Sequence, residues 1–143
     1  MTKFLLVLVA VLALGAGTAS ASGEASRSTL TVRSSDYGKI LFDGGGRALY
    51  AFTKDPRRKS VCTGACAKAW PPYVVLIRPK AGAGVKSSLL GTTKRADDRT
   101  QVTYNGRPLY YYVGDPVGQV RCQNVSEFGG LWLVVRPTGR LVR

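Results

Sequence analysis

The sequence predicts a small all-β domain, mostly antiparallel and built from two duplicated repeats of about 60 residues, and three observations lead there. The chain resembles itself at an offset of 60: Gly46-Arg47-Ala48-Leu49-Tyr50 falls on Gly106-Arg107-Pro108-Leu109-Tyr110, Asp55-Pro56 on Asp115-Pro116, Cys62 on Cys122, and Val74-Val75 on Val134-Val135. Positions 46–62 carry seven identities in 17 without a gap, where unrelated sequence of this composition gives about one. Short apolar runs alternate with Gly, Asn and Asp turn signals, the pattern of hairpins. Beyond the N-terminal segment the only helical stretch is a turn or two at 65–70, stopped by Pro71-Pro72.

In chain order, residues 1–21 read as a signal peptide. Met1-Thr2-Lys3 is a positive start, Phe4 to Leu14 an apolar run of 11 residues, and Ala19-Ser20-Ala21 a cleavage signal. The run is shorter than the roughly 20 residues of a membrane span, and no second one follows, so the expected product has no transmembrane segment and is secreted or held in the extracytoplasmic envelope. Cleavage near Ala21 leaves 143 − 21 = 122 residues, enough for one modest core. Residues 22–28 are too poor in apolar side chains to pack and are expected to be a disordered linker, leaving 29–143 as the duplicated domain with repeats at about 38–80 and 98–143. Strands are expected at 29–33, 39–42, 48–52, 73–77, 89–94, 101–104, 107–113 and 131–135. Asn105-Gly106 is the strongest hairpin signal, since both residues tolerate positive φ in a type I′ turn. Pro108 has no N–H to donate, so its strand is expected at a sheet edge or entered late at that point.

The motif G-R-x-L-Y-x-[FY]-x-x-D stands at Gly46 to Asp55, with Tyr50, Phe52 and Asp55, and again at Gly106 to Asp115, with Tyr110, Tyr112 and Asp115. Between the copies lies Cys62-Thr63-Gly64-Ala65-Cys66-Ala67-Lys68-Ala69-Trp70-Pro71-Pro72. Together these resemble the bacterial secreted-repeat family with the Y-x4-D motif, also described as predicted lipoproteins with a Yx(FWY)xxD motif. The resemblance implies an exported, repeated, β-rich envelope protein whose biochemical role is not established at family level. The chain departs from lipoprotein members in having no Cys after the apolar run for lipid attachment.

On a strand, Tyr50 and Phe52 point to one face and Ala51 to the other, and Tyr110 and Tyr112 repeat this arrangement. Asp55-Pro56 and Asp115-Pro116 suit the first two positions of a type I turn, with the carboxylate accepting backbone N–H groups. Two readings of the motif follow. In one, Tyr and Asp determine core and turn; in the other, a twofold brings Asp55 and Asp115 together to share a proton or hold a cation. The flanking motifs of aspartic proteases are absent.

Three Cys in an exported chain leave one over. Cys62 can bridge locally to Cys66, or the repeats can be joined through Cys62 and Cys122; spacing does not choose between them. One structural disulfide involving Cys62 or Cys66 is the expectation. The alternative is a reversible dithiol or a soft-metal site for Cu(I).

No His occurs, which removes Ser-His-Asp and Cys-His hydrolases, HExxH proteases and His-ligated metals. No P-loop, dinucleotide fingerprint or GxSxG is present, so no enzyme activity and no cofactor are expected. The 21 Lys and Arg against 8 Asp and Glu give a formal charge of +13. Outside the cytoplasm such a surface meets anionic envelope polymers or lipid headgroups, and no specific nucleic-acid motif accompanies it. The functional expectation is a non-enzymatic binding or structural module with a basic surface.

Overall fold

The computed structural model describes residue 23 and residues 27–143. The signal peptide expected over 1–21 lies outside the described residues, as does most of the linker expected over 22–28. The end of that linker belongs to the fold: Ser28 is fully buried, its carbonyl accepts from the Lys80 N–H at 2.9 Å, and the Tyr73 hydroxyl donates to the Arg27 carbonyl.

Among the described residues nine strands follow in the order β1 (Thr29–Ser35), β2 (Gly38–Asp43), β3 (Tyr50–Phe52), helix α1 (Ala65–Ala69), β4 (Lys80–Ala81), a 3₁₀ turn at Ser87–Leu89, β5 (Leu90–Lys94), β6 (Thr100–Tyr104), β7 (Arg107–Tyr110), β8 (Val125–Glu127) and β9 (Gly130–Val134). They form a three-stranded sheet, β2-β1-β4, and a six-stranded sheet, β5-β6-β7-β3-β9-β8. All pairings are antiparallel except β1 with β4. Asn105 and Gly106 take φ values of 49° and 72°, so β6 and β7 close on the two-residue turn their side chains favour.

The duplication appears as a twofold between β3 and β7. Tyr50 lies directly opposite Tyr110, its own repeat-equivalent, in an antiparallel pair. Such self-opposition arises when an axis passes between the two strands. The hairpin β1·β2 in the first repeat matches β5·β6 in the second, with Leu30 opposite Asp43 and Leu90 opposite Tyr104. The repeating unit therefore reaches back beyond residues 38 and 98 to include β1 and β5.

The third segment of each repeat is exchanged. β9 pairs with β3 of the other repeat, and the Val135 carbonyl accepts from Leu41 N at 2.9 Å. Correspondingly, residues 71–75 of the first repeat lie between β6 and β7: Tyr73 N donates to Leu109 O, Tyr111 N to Pro71 O, and Val102 N to Tyr73 O. Tyr110 faces Pro72 where Tyr50 faces Val134, so the structural offset here is 62, matching Trp70 to Trp132. The alignment of Val74-Val75 with Val134-Val135 is thus shifted by two residues.

Several expected elements are corrected. Residues 73–77 form no strand; Pro71 and Pro72 cannot donate to a ladder, and beyond Val75 the chain bends outward, leaving Leu76 87% exposed. β7 stops at Tyr110 because Tyr112 already opens the next turn, its carbonyl accepting from Asp115 N. β7 is interior, not an edge; its ladder with β3 covers only Leu109 and Tyr110, so Pro108 sits just before it and costs no bond there. β4 and β8 are two and three residues long, too short for an apolar pattern to announce them.

Both faces of the central strands are buried. Tyr50, Phe52, Tyr110, Trp132 and Val134 join one cluster, while Leu49, Ala51, Leu109 and Val135 join a second on the opposite face. This is the period-two alternation of a strand carried into two cores.

Candidate functional site

The repeated Tyr and Asp meet, but not within one motif. The Tyr50 hydroxyl donates to Asp115 Oδ2 at 2.5 Å, and the Tyr110 hydroxyl donates to Asp55 Oδ2 at 2.7 Å. Each tyrosine reaches the aspartate of the other repeat, because the axis between β3 and β7 exchanges the two loops. The other carboxylate oxygen organises its own loop: Asp55 Oδ1 accepts from Val61 N at 2.8 Å and Asp115 Oδ1 from Arg121 N at 2.9 Å. The turn itself differs from the expected one. It begins at the proline, closed by Lys59 N to Pro56 O and by Gln119 N to Pro116 O, while Asp55 N and Asp115 N close the preceding turns.

A third exchanged contact explains the glycine of the motif. Gly46 O accepts from Gly118 N, and Gly106 O accepts from Arg58 N, both at 2.7 Å. Gly46 and Gly106 have positive φ, and a Cβ on Gly106 would lie 2.8 Å from the Arg57 guanidinium in the opposing loop.

Four rings follow one another through the axis: Phe52 stacks on Trp132 at 4.2 Å and Trp132 on Trp70 at 4.1 Å, while Tyr112 packs on Trp70 at 4.8 Å with its ring tilted by 41°. Tyr50 meets Trp70 edge-on at 5.2 Å and Tyr110 meets Trp132 edge-on at 5.1 Å. Phe52 and Tyr112 thus each cover the tryptophan of the other repeat. Such pairs contribute roughly 0.5–1.5 kcal/mol each beyond their burial.

The electrostatics keep these groups protonated donors and filled acceptors. Burial, reinforced by Asp115, pushes the Tyr50 phenol far above its ordinary range, and burial with the Asp55 charge does the same for Tyr110. Burial also raises the Asp55 carboxyl, against the opposing effects of Tyr110, the Val61 N–H and Arg95.

The Tyr110–Asp55 latch extends into a buried network that sequence reading missed. Ser60 Oγ lies 2.6 Å from the Tyr110 hydroxyl, and Arg95 Nη1 donates to both Ser60 Oγ and Gln101 Oε1 at 2.7 Å. Arg95 Nη2 donates to Cys62 O at 2.8 Å. Arg95 is only 5% exposed, so it does not belong to the basic surface expected of the chain. Its run of charged neighbours concealed it. A third tyrosine–aspartate pair, Tyr111 to Asp43 Oδ2 at 2.9 Å, lies outside the repeated motif.

Cys62 pairs with Cys66, with Cα atoms 5.3 Å apart, and the bridge straddles the start of α1. Closing so short a loop contributes about 2 kcal/mol of chain entropy. Cys122 is free and half-buried; burial raises its thiol, while the Tyr112 hydroxyl pulls the other way. The bridge leaves Cys122 as the one thiol, so a dithiol or Cu(I) site would first require reduction. Among the described residues no group of three or more His, Cys, Asp or Glu is placed to hold a metal ion. Asp55 and Asp115 serve two separate latches and make no hydrogen bond to each other.

Coupling in denaturation experiments should follow the exchanged partners. Tyr50→Phe keeps the ring but strips a donor from a buried carboxylate, and should cost about 2 kcal/mol. A double-mutant cycle of Tyr50→Phe with Asp115→Asn should show coupling of about 1 kcal/mol or more, whereas Tyr50→Phe with Asp55→Asn should be additive.

The raised Asp55 carboxyl fixes the sign of a pH effect. The folded state holds this proton more tightly than the unfolded chain, so its contribution is fully present below about pH 4, the unfolded value, and is lost as pH rises through the folded value. Urea titrations at pH 4 and pH 7 should therefore show the wild type gaining on Asp55→Asn as the pH falls; an equal difference at both pH values would contradict it.

No curated protein and no solved structure matches the chain. A family model, Lipoprotein_15, described as a secreted repeat of unknown function, matches residues 31–73 and 91–136. Both matches begin inside or beside β1 and β5 and end at the exchanged third segments, so the matched unit corresponds to the structural repeat. The chain belongs to this secreted-repeat family.

Proposed function

We propose that the protein is a non-enzymatic binding module of the extracytoplasmic envelope, exported by cleavage near Ala21, whose cationic surface holds anionic envelope polymers. The observation that supports this reading is where the carboxylates go. Asp43, Asp55 and Asp115 turn inward to accept the Tyr111, Tyr110 and Tyr50 hydroxyls, and Glu127 accepts from Trp70 Nε1 at 2.8 Å. In a chain with only 8 acidic residues against 21 basic ones, this leaves the cations largely unbalanced. Asp97 forms ion pairs with Arg95 and Arg99.

The same feature supports a non-catalytic role. Tyr50, Tyr110, Asp55 and Asp115 are committed to hydrogen bonds and Cys62 and Cys66 to the disulfide, which leaves Cys122 as the free thiol, and the buried phenols are held protonated. Among the described residues no helix is long and apolar enough to cross a membrane.

The reading is tested by retention on an immobilised anionic cell-wall polymer. The protein should bind at low ionic strength and elute as salt shortens the Debye length from about 30 Å at 0.01 M to about 8 Å at 0.15 M. Passage without retention at 0.01 M salt would overturn it.

A further inference from the structure

The unbalanced cations are not spread evenly. Arg107, Arg136, Arg140 and Arg143 line one cleft of about 560 Å3, together with Thr138 and Leu141. On the other side of the β6–β7 turn, Arg57 and Arg58 line a second cleft of about 310 Å3 with residues of that same turn, Asn105 and Gly106. The turn joins the two clefts. Arg57 approaches it at Gly106, and on its far side Asn105 Nδ2 reaches Gly139 O at 3.5 Å, in the turn that carries Thr138 and Arg140. No acidic residue lines either cleft.

From this geometry, and resting on the polyanion reading above, we propose that the two clefts form one arginine-lined groove that binds a linear polymer of phosphodiester groups. Every cation in the groove is an arginine. A guanidinium offers a planar fork of N–H donors that matches the two free oxygens of a phosphodiester, which a lysine ammonium does not. The neighbouring Thr138, Ser88, Thr92 and Thr103 add hydroxyl donors for the same oxygens. Neither cleft carries an aromatic ring, so there is no platform on which a nucleobase could stack, and the groove reads charge along a backbone and not bases. With no His in the chain, this recognition is insensitive to pH across the neutral range.

The duplication explains why the groove has one copy. Its Arg57–Arg58 part lies where the first repeat's Asp-Pro loop meets the second repeat's Gly106; the equivalent loop in the second repeat carries Val117 and Gly118 in place of Arg57 and Arg58. The pseudo-twofold scaffold is common to both sides, but the loop arginines Arg57 and Arg58 stand on one; on the other, Arg33 and Val117 lie beside Gly46.

Binding of poly(glycerol phosphate) to the full folded chain tests the proposal by titration at several salt concentrations. The triple variant Arg107→Gln, Arg140→Gln, Arg143→Gln should bind at least tenfold more weakly, with the slope of log K against log salt reduced by about two. A control triple at exposed cations outside the groove, Arg78→Gln, Lys80→Gln, Lys86→Gln, removes equal charge and should weaken binding less than threefold. The single variant Arg140→Gln, at an exposed turn position, should weaken binding by at least twofold even if the triple is less stable. Equal losses in the two triples would overturn the groove while leaving the polyanion reading intact; no binding by the wild type at low salt would overturn both. Tighter binding to hyaluronate, whose charges are carboxylates, or to phosphatidylglycerol vesicles than to the phosphodiester polymer would overturn the ligand assignment.

Discussion

Each repeat of this protein is completed by the other. The tyrosine of one copy donates to the aspartate of the second, and the reciprocal bond forms on the other side of the same axis. The spacing of four residues between Tyr and Asp is therefore not set by contact between them. It places the tyrosine on a central strand and the aspartate just past its end, where the partner loop crosses the axis. The exchanged third segments, the Gly46 and Gly106 carbonyl bonds and the row of four rings all obey the same operation. A chain in which one repeat is removed keeps buried phenols without acceptors, loops without anchors and a tryptophan without its partner.

That constraint also shapes the surface. A latch between a buried phenol and a carboxylate consumes an acid from a chain that has few, and it does so more than once. The interior is stabilised by hydrogen bonds to charged acceptors, worth more than neutral ones, and the exterior is left cationic. Fold stability and the proposed polyanion binding thus draw on one pool of carboxylates. The asymmetry between the repeats is chemical. In the first, Arg95, Ser60 and Gln101 extend the latch into a polar network beneath the disulfide. In the second, the position of Ser60 is Val120, and Cys122 has no partner thiol.

Much of this was legible in the sequence. The offset of 60 gave the duplication, the Asn105-Gly106 turn and the Tyr50 and Tyr110 faces follow directly from turn chemistry and strand alternation, and the motif residues are those that form the latches. The exchange was not legible, because identity at a fixed offset shows that two segments are equivalent but not which copy each one touches. Trp70 and Trp132 escaped for a simpler reason: two extra residues put them out of phase with an offset of 60. Residues 73–77 read as a strand from their apolar run, whereas Pro71 and Pro72 break the ladder before it can form. Arg95 read as solvent-facing because its sequence neighbours are charged, and only the fold shows that Ser60, Gln101 and the Cys62 carbonyl converge on it.

The most direct test is to separate the repeats at the exposed Ala83-Gly84 turn and prepare residues 27–84 and 85–143 as two fragments. Each fragment alone should give the collapsed amide dispersion of an unfolded chain in NMR spectra, and mixing them should restore the dispersed spectrum of the intact protein. Either fragment folding alone, with its tyrosine resonances unchanged on adding the other, would contradict it.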